Sequence, residues 1–196
     1  MVVLSLVWGL VTMAIVETVR SMGPPGPKLA PADPDMGDGS LAELGGDDDW
    51  AERHEFAWVG AFRVNGQILM GVWQRGATFF VTYSAAGRRA RGSGTVFSDR
   101  ESLRTTTERA GQALPRAPGA HLEVFPEADT DEMLSRHEAG VAHLTRGGIQ
   151  AARAHLEFED VFMKAVHRHM EYVRGKRLWA LRAAGWYVRG MSAPVG

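Results

Sequence analysis

The chain of 196 residues contains no cysteine, which excludes structural disulfides, thiolate metal sites and cysteine nucleophiles at once. Lysine is nearly missing too. Lys28, Lys164 and Lys176 are the whole set, and arginine carries the rest of the positive charge, a bias typical of GC-rich bacterial genomes. An excess of either charge is also missing: the formal net charge is −1, so no global attraction to nucleic acid follows. The sequence has no G-x-S-x-G elbow, no P-loop and no dinucleotide fingerprint. A zincin helix fails as well, because His137-Glu138 is followed by Val141 where the second histidine would have to stand.

Long apolar runs are scarce, with one exception at the start. Residues 2–16 are apolar apart from Ser5 and Thr12. As a helix at about 1.5 Å per residue this run covers about 22 Å. Continuing to Met22 brings it near the roughly 30 Å of a hydrocarbon core, with Glu17 and Arg20 at the interface. A cleaved signal needs a basic start and a small-residue cleavage site; neither is present. A core helix would need a polar face. Residues 1–22 therefore read as a single transmembrane anchor contacting the lipid bilayer. Arg20 and Lys28 follow the run, so the positive-inside tendency places the body on the cytoplasmic side of a bacterial inner membrane; a periplasmic body is the alternative.

The near-zero net charge hides an asymmetry. Residues 23–55 carry nine acids against Lys28 and Arg53, a local charge of −7; residues 164–196 carry seven bases against Glu171, a local charge of +6. The acidic stretch is also rich in proline and glycine, too poor in apolar surface to offset ordering entropy. Residues 23–49 are expected to form a linker, and residues 50–196 a single domain. Its apolar and charged fractions, 45% and 23% for the whole chain, are those of a globular protein with a core.

Within that domain, residues 56–64 alternate large and small side chains up to Asn65-Gly66, a strong hairpin signal. Residues 68–73 form the return strand, and Thr78 to Tyr83 is a β-branched and aromatic third strand. Residues 84–94 look like a basic loop. A second hairpin follows, from Thr95 to Phe97 and from Leu103 to Thr107, for which a short helix over residues 100–113 is the rival. His121 to Phe125 closes the sheet. Asp129 with Glu132 has capping-box spacing and starts a helix ended by Gly147-Gly148. A second helix is expected over residues 149–173, bent or broken by Gly175 before residues 176–189. The fold class is α+β: an N-terminal transmembrane helix and an antiparallel sheet of five or six strands, meander plus hairpin, backed by two C-terminal helices.

The succession TVFSDRESLRTTT, ALPRAPGAHLEVFP and ADTDEMLSRHEAGVAHL, within residues 78–144, resembles an uncharacterised group of bacterial membrane-anchored proteins with a strand-rich α+β domain. This chain has Asp99-Arg100-Glu101 where that group has an acidic-glycine turn. The resemblance implies architecture and membrane association, and carries no activity, cofactor or catalytic residue.

Three sets of residues are candidates for function. Trp179, Arg182, Trp186 and Arg189 share one helical face with Leu178, Leu181 and Val188 on its flank, a stripe suited to cation–π packing, to anionic lipid or an unidentified protein, and less to nucleic acid. Arg88, Arg89 and Arg91 would project from the basic loop toward phosphate or an acidic surface. His137, His143, His155 and Glu159 are the best available metal ligands, and would make the chain a small metal-dependent hydrolase. Ser93 belongs to the basic loop and has no elbow around it. No catalytic residue and no cofactor are expected; a membrane-tethered, non-catalytic interaction or scaffold module is the leading expectation.

Overall fold

A computed structural model describes residues 13, 17, 20, 27–32, 44, 47–85, 88–97, 101–152 and 156–193. The meander forms as its residues dictate. β2 (Ala57–Val64) and β3 (Ile68–Arg75) pair antiparallel around a turn in which Gln67 N donates to Val64 O. Asn65 and Gly66 both have positive φ, at 52° and 69°, the type I′ geometry that Asn-Gly tolerates. β4 (Thr78–Ala85) continues the meander through Gly76. In β2 the pairing slips between Trp58 and Gly60, a bulge that leaves Trp58 and Val59 exposed.

The sheet is wider than the five or six strands expected. Among the described residues seven strands run in sequence order across it. The first addition comes from the stretch read as linker, where β1 (Leu29–Pro31) pairs with β2. Asn65 holds it there, accepting from Lys28 N through its side chain and donating its own N–H to Lys28 O. Leu44 and Asp47, from the same stretch, are buried. The second addition comes from the stretch read as a basic loop. Most of it is β5 (Arg88–Val96), paired along its length with β4. Residues 84–94 contain no β-branched side chain, and at Gly92 close packing excludes one: a Cβ there would come 3.1 Å from Thr105 O on the next strand.

β6 (Ser102–Thr106) pairs antiparallel with β5, as the threonine run predicts. The rival helix is reduced to one 3₁₀ turn, Arg109–Gln112. β7 (Ala120–Val124) lies parallel to β6, so the sheet is antiparallel in all pairs but its last. The connection from residue 107 to 119 is long enough to bring the chain back to the start of β6, which a hairpin turn would not do.

Helices cover both faces, rather than backing one. On the first face lie α1 (Asp48–Arg53) and α2 (Thr130–Arg146), closing a core of Trp50, Phe56, Trp73, Phe80, Met133 and Leu134. α2 starts as expected, with the Asp129 carboxylate accepting from Glu132 N at 2.8 Å. On the second face α3 (Phe158–Arg174) sets Phe158 among Phe62, Val64, Met70, Val72 and Phe79. α3 begins nine residues later than expected, and Gly175 ends it. α4 (Trp179–Ser192) is a third helix after the sheet. It rests on the 3₁₀ turn, with Arg109 Nη1 donating to Met191 O at 3.1 Å.

The expected anchor, residues 1–22, lies outside the described residues apart from Met13, Glu17 and Arg20. Among the described residues no helix is long and apolar enough to cross a membrane.

Candidate functional site

Alternation along β4, β5 and β6 sends every second side chain to the first face, and many of these are polar. Their placement separates structural polar groups from groups open to a ligand. The first cluster surrounds Asp47, which is 3% exposed. Its carboxylate accepts from Thr82 Oγ1 at 2.5 Å, from Arg89 Nη2 at 2.6 Å, and from Arg91 Nη2 and Nε at 3.1–3.3 Å. Arg89 Nη2 also donates to Leu44 O. Arg89 and Arg91, read from sequence as loop cations open to phosphate, are thus turned inward from β5 onto an acid of the supposed linker. Arg88 remains exposed on the same strand. The acidic N-terminal stretch thus meets the basic strand β5 through one buried carboxylate, Asp47.

The second cluster surrounds His137, 1% exposed on the inner face of α2. Its Nε2 lies 2.8 Å from Thr95 Oγ1 and its Nδ1 2.9 Å from Thr105 Oγ1. Thr105 gives its own proton to Glu123 Oε2 at 2.9 Å, so it accepts from Nδ1–H. In the neutral ring Nε2 is then the acceptor, taking the Thr95 proton, and Thr95 in turn accepts from Thr78 Oγ1 at 2.7 Å. A line of hydrogen bonds, all donating in one direction, runs from β4 to β7. Burial, and secondarily the charge of Arg75, lower the His137 pKa to about 4. Burial first, then Arg104, also lowers that of His169, which lies on α3 across the sheet. A histidine closed off this way is a core residue, satisfied on both nitrogens.

The expected metal ligands are therefore not brought together where they can be followed. His137 is buried, His143 is exposed on α2 where the helix faces β7, and Glu159 is exposed at the start of α3 on the opposite face of the sheet. His155 lies outside the described residues. No group of three or more histidines and acids among the described residues is placed to hold a metal ion. Ser93 is 1% exposed within β5, and its hydroxyl has no hydrogen-bond partner among the described residues; burial closes it to a substrate.

The third feature is a cleft of about 460 Å³ between β7 and α2, lined among others by Leu103, Arg116, His121, Glu123, Arg136 and Leu144. Nothing in the sequence marked it, because its walls come from two elements meeting at the outer edge of the sheet. His121 pairs with Glu101 at 3.2 Å. Arg116 reaches across the edge of β7 to Leu122 O at 3.1 Å, which blunts an otherwise open strand edge.

The fourth is the stripe of α4, whose spacing is legible in the sequence. The Arg182 guanidinium lies 5.1 Å from the Trp186 ring centre, and Trp179 and Trp186 are half-buried. Ala183, Ala184 and Gly190 face inward. The outward side shows Leu178, Leu181 and Val188, with Leu181 73% exposed, beside the exposed Arg182 and Arg189. The helix contains no acidic residue. Compared with known proteins, the chain matches no family model, no curated protein and no solved structure.

Proposed function

We propose that the protein is a non-catalytic interaction module held at a membrane, with residues 1–22 as its anchor and the outer face of α4 lying against anionic lipid. The observation that carries this reading is the exposed Leu178, Leu181 and Val188 flanked by Arg182 and Arg189 on a helix without acids. Such a face buries its apolar side chains at the acyl boundary while its guanidiniums meet headgroup phosphates. A second contact agrees with it. Arg174, at the end of α3, donates to Arg20 O at 3.0 Å, which sets the close of the apolar stretch beside the turn into α4. Tethering the domain there raises the effective concentration of α4 at the surface. The resemblance to membrane-anchored bacterial proteins points the same way, and the cytoplasmic orientation expected from Arg20 and Lys28 would set the domain against the leaflet whose anionic lipid gives it a negative surface potential.

The test uses the full-length protein. In cells it should resist carbonate extraction, and its domain should be shielded from protease added outside. Reconstituted into phosphatidylcholine vesicles with and without phosphatidylglycerol, amides of residues 179–192 should exchange more slowly in the anionic vesicles only. The Arg182→Ala/Arg189→Ala variant should lose that difference. Release by carbonate removes the anchor; equal exchange in both vesicles removes the role of α4.

A further inference from the structure

The cleft between β7 and α2 contains a carboxylate that the fold does not neutralise. Glu123 stands on β7 directly beneath α2, and Gly140 lets the helix pass there. A Cβ on Gly140 would come within 3.1 Å of both Glu123 carboxylate oxygens and 2.8 Å of Leu103 Cδ2. Glu123 Oε2 accepts from Thr105, but among the described residues no Lys, Arg or His lies within ion-pairing distance of it. Glu123 is half-buried, so a cationic ligand group would gain an acidic partner there without displacing one already bound.

The rest of the cleft supplies the opposite charge at its rim. Among the described residues Arg116 donates through Nη1 to Leu122 O, and Arg136 donates through Nη2 to Glu132 Oε1 at 3.2 Å while its guanidinium lies 5.3 Å from the Phe125 ring centre. Each guanidinium therefore keeps further N–H donors for a carboxylate. The lining also carries the apolar side chains of Leu103, Leu122 and Leu144, with His121 and His143 beside them. We propose that this cleft binds a small zwitterion of the amino-acid class, a free apolar amino acid or a short apolar peptide. Its ammonium group pairs with Glu123, its carboxylate with Arg116 or Arg136, and its side chain covers Leu103 and Leu144. A simple anion would be repelled by Glu123, and a purely apolar ligand would leave that carboxylate unpaired. An added β-strand would meet the Arg116 side chain lying across the β7 edge. The cleft is separate from α4, so this inference stands whether or not the membrane reading does.

Calorimetric titration of the full chain with L-leucine and with L-leucyl-L-leucine tests it and tells the two sources apart. Saturable binding is expected for at least one of them. N-acetyl-L-leucine, without the ammonium group, and L-leucinamide, without the carboxylate, should each bind about tenfold more weakly or worse, since the first leaves Glu123 and the second the rim guanidiniums without a charged partner. Glu123→Gln keeps an acceptor for Thr105 and should lower affinity for the zwitterion by about the same factor. Ala139→Trp, at an exposed helix position lining the cleft, should abolish the heat with the circular dichroism spectrum unchanged. No heat from either zwitterion at millimolar concentration overturns the proposal. So does equal binding of the blocked analogues, or binding that survives Ala139→Trp.

Discussion

Arg91 grips both carboxylate oxygens of Asp47 across 44 positions of sequence, from the middle of β5 to the residue that caps α1. With Arg89 and Thr82 on the same carboxylate, this fastens the segment before α1 to the sheet. Asp47→Ala leaves two guanidiniums and a buried hydroxyl facing an empty site. Loss of one partner from a buried pair costs about 3–5 kcal/mol, and the one-third exposure of both arginines brings the expected loss to about 2–3 kcal/mol, read by urea denaturation. The Arg91→Ala variant should lose less, because Asp47 keeps Arg89 and Thr82. If Asp47→Ala costs no more than a surface substitution, the cluster is not a structural clamp.

That clamp marks where the sequence could and could not be read. The Asn65-Gly66 turn, the Thr78–Tyr83 strand, the Asp129 cap and the α4 stripe follow from local chemistry, and local chemistry is visible in a single sequence. β5 was hidden because its partner interactions are long-range: Gly92 is chosen by Thr105 O and Arg91 by Asp47, so the segment has the composition of a loop. β1 was hidden for the same reason, being held by Asn65 rather than by any pattern of its own. His137 shows the reverse case. Its helical position was legible, but the two threonines that satisfy its nitrogens come from strands 42 and 32 residues away, and without them a core histidine looks like a ligand.

His137 gives the fold a pH dependence whose sign is fixed. Its folded-state pKa, about 4, lies below the ordinary value of 6.5, so the unfolded chain binds more protons between those limits. The stability it contributes is complete above pH 6.5 and is lost as pH falls from 6.5 toward 4. A depression of that size corresponds to about 3 kcal/mol. His169, also lowered by burial, adds a loss in the same direction. Urea midpoints measured from pH 7 to pH 4 should fall, and His137→Gln, which cannot take up a proton, should flatten the curve while lowering stability at pH 7. A midpoint independent of pH over this range would contradict the neutral, doubly bonded ring.

The seat of α4 rests on one glycine, and a second glycine in the same helix provides the control. A Cβ on Gly190 would collide with Gln112 O and come 2.7 Å from Ala113 Cα, backbone of the 3₁₀ turn and of the residue that follows it. Backbone cannot swing aside as a side chain does, so Gly190→Ala must push α4 off the 3₁₀ turn and break the contact between Arg109 and Met191 O. Overpacking of this kind costs about 1–3 kcal/mol. Gly185 has nothing within 4 Å of its would-be Cβ, and it lies mid-helix, where alanine is favoured by about 0.5–1 kcal/mol. The two substitutions are chemically identical and should move the thermal midpoint in opposite directions, down for Gly190→Ala and up for Gly185→Ala. An upward shift for both would mean that helix propensity, rather than contact with the 3₁₀ turn, holds α4 in place.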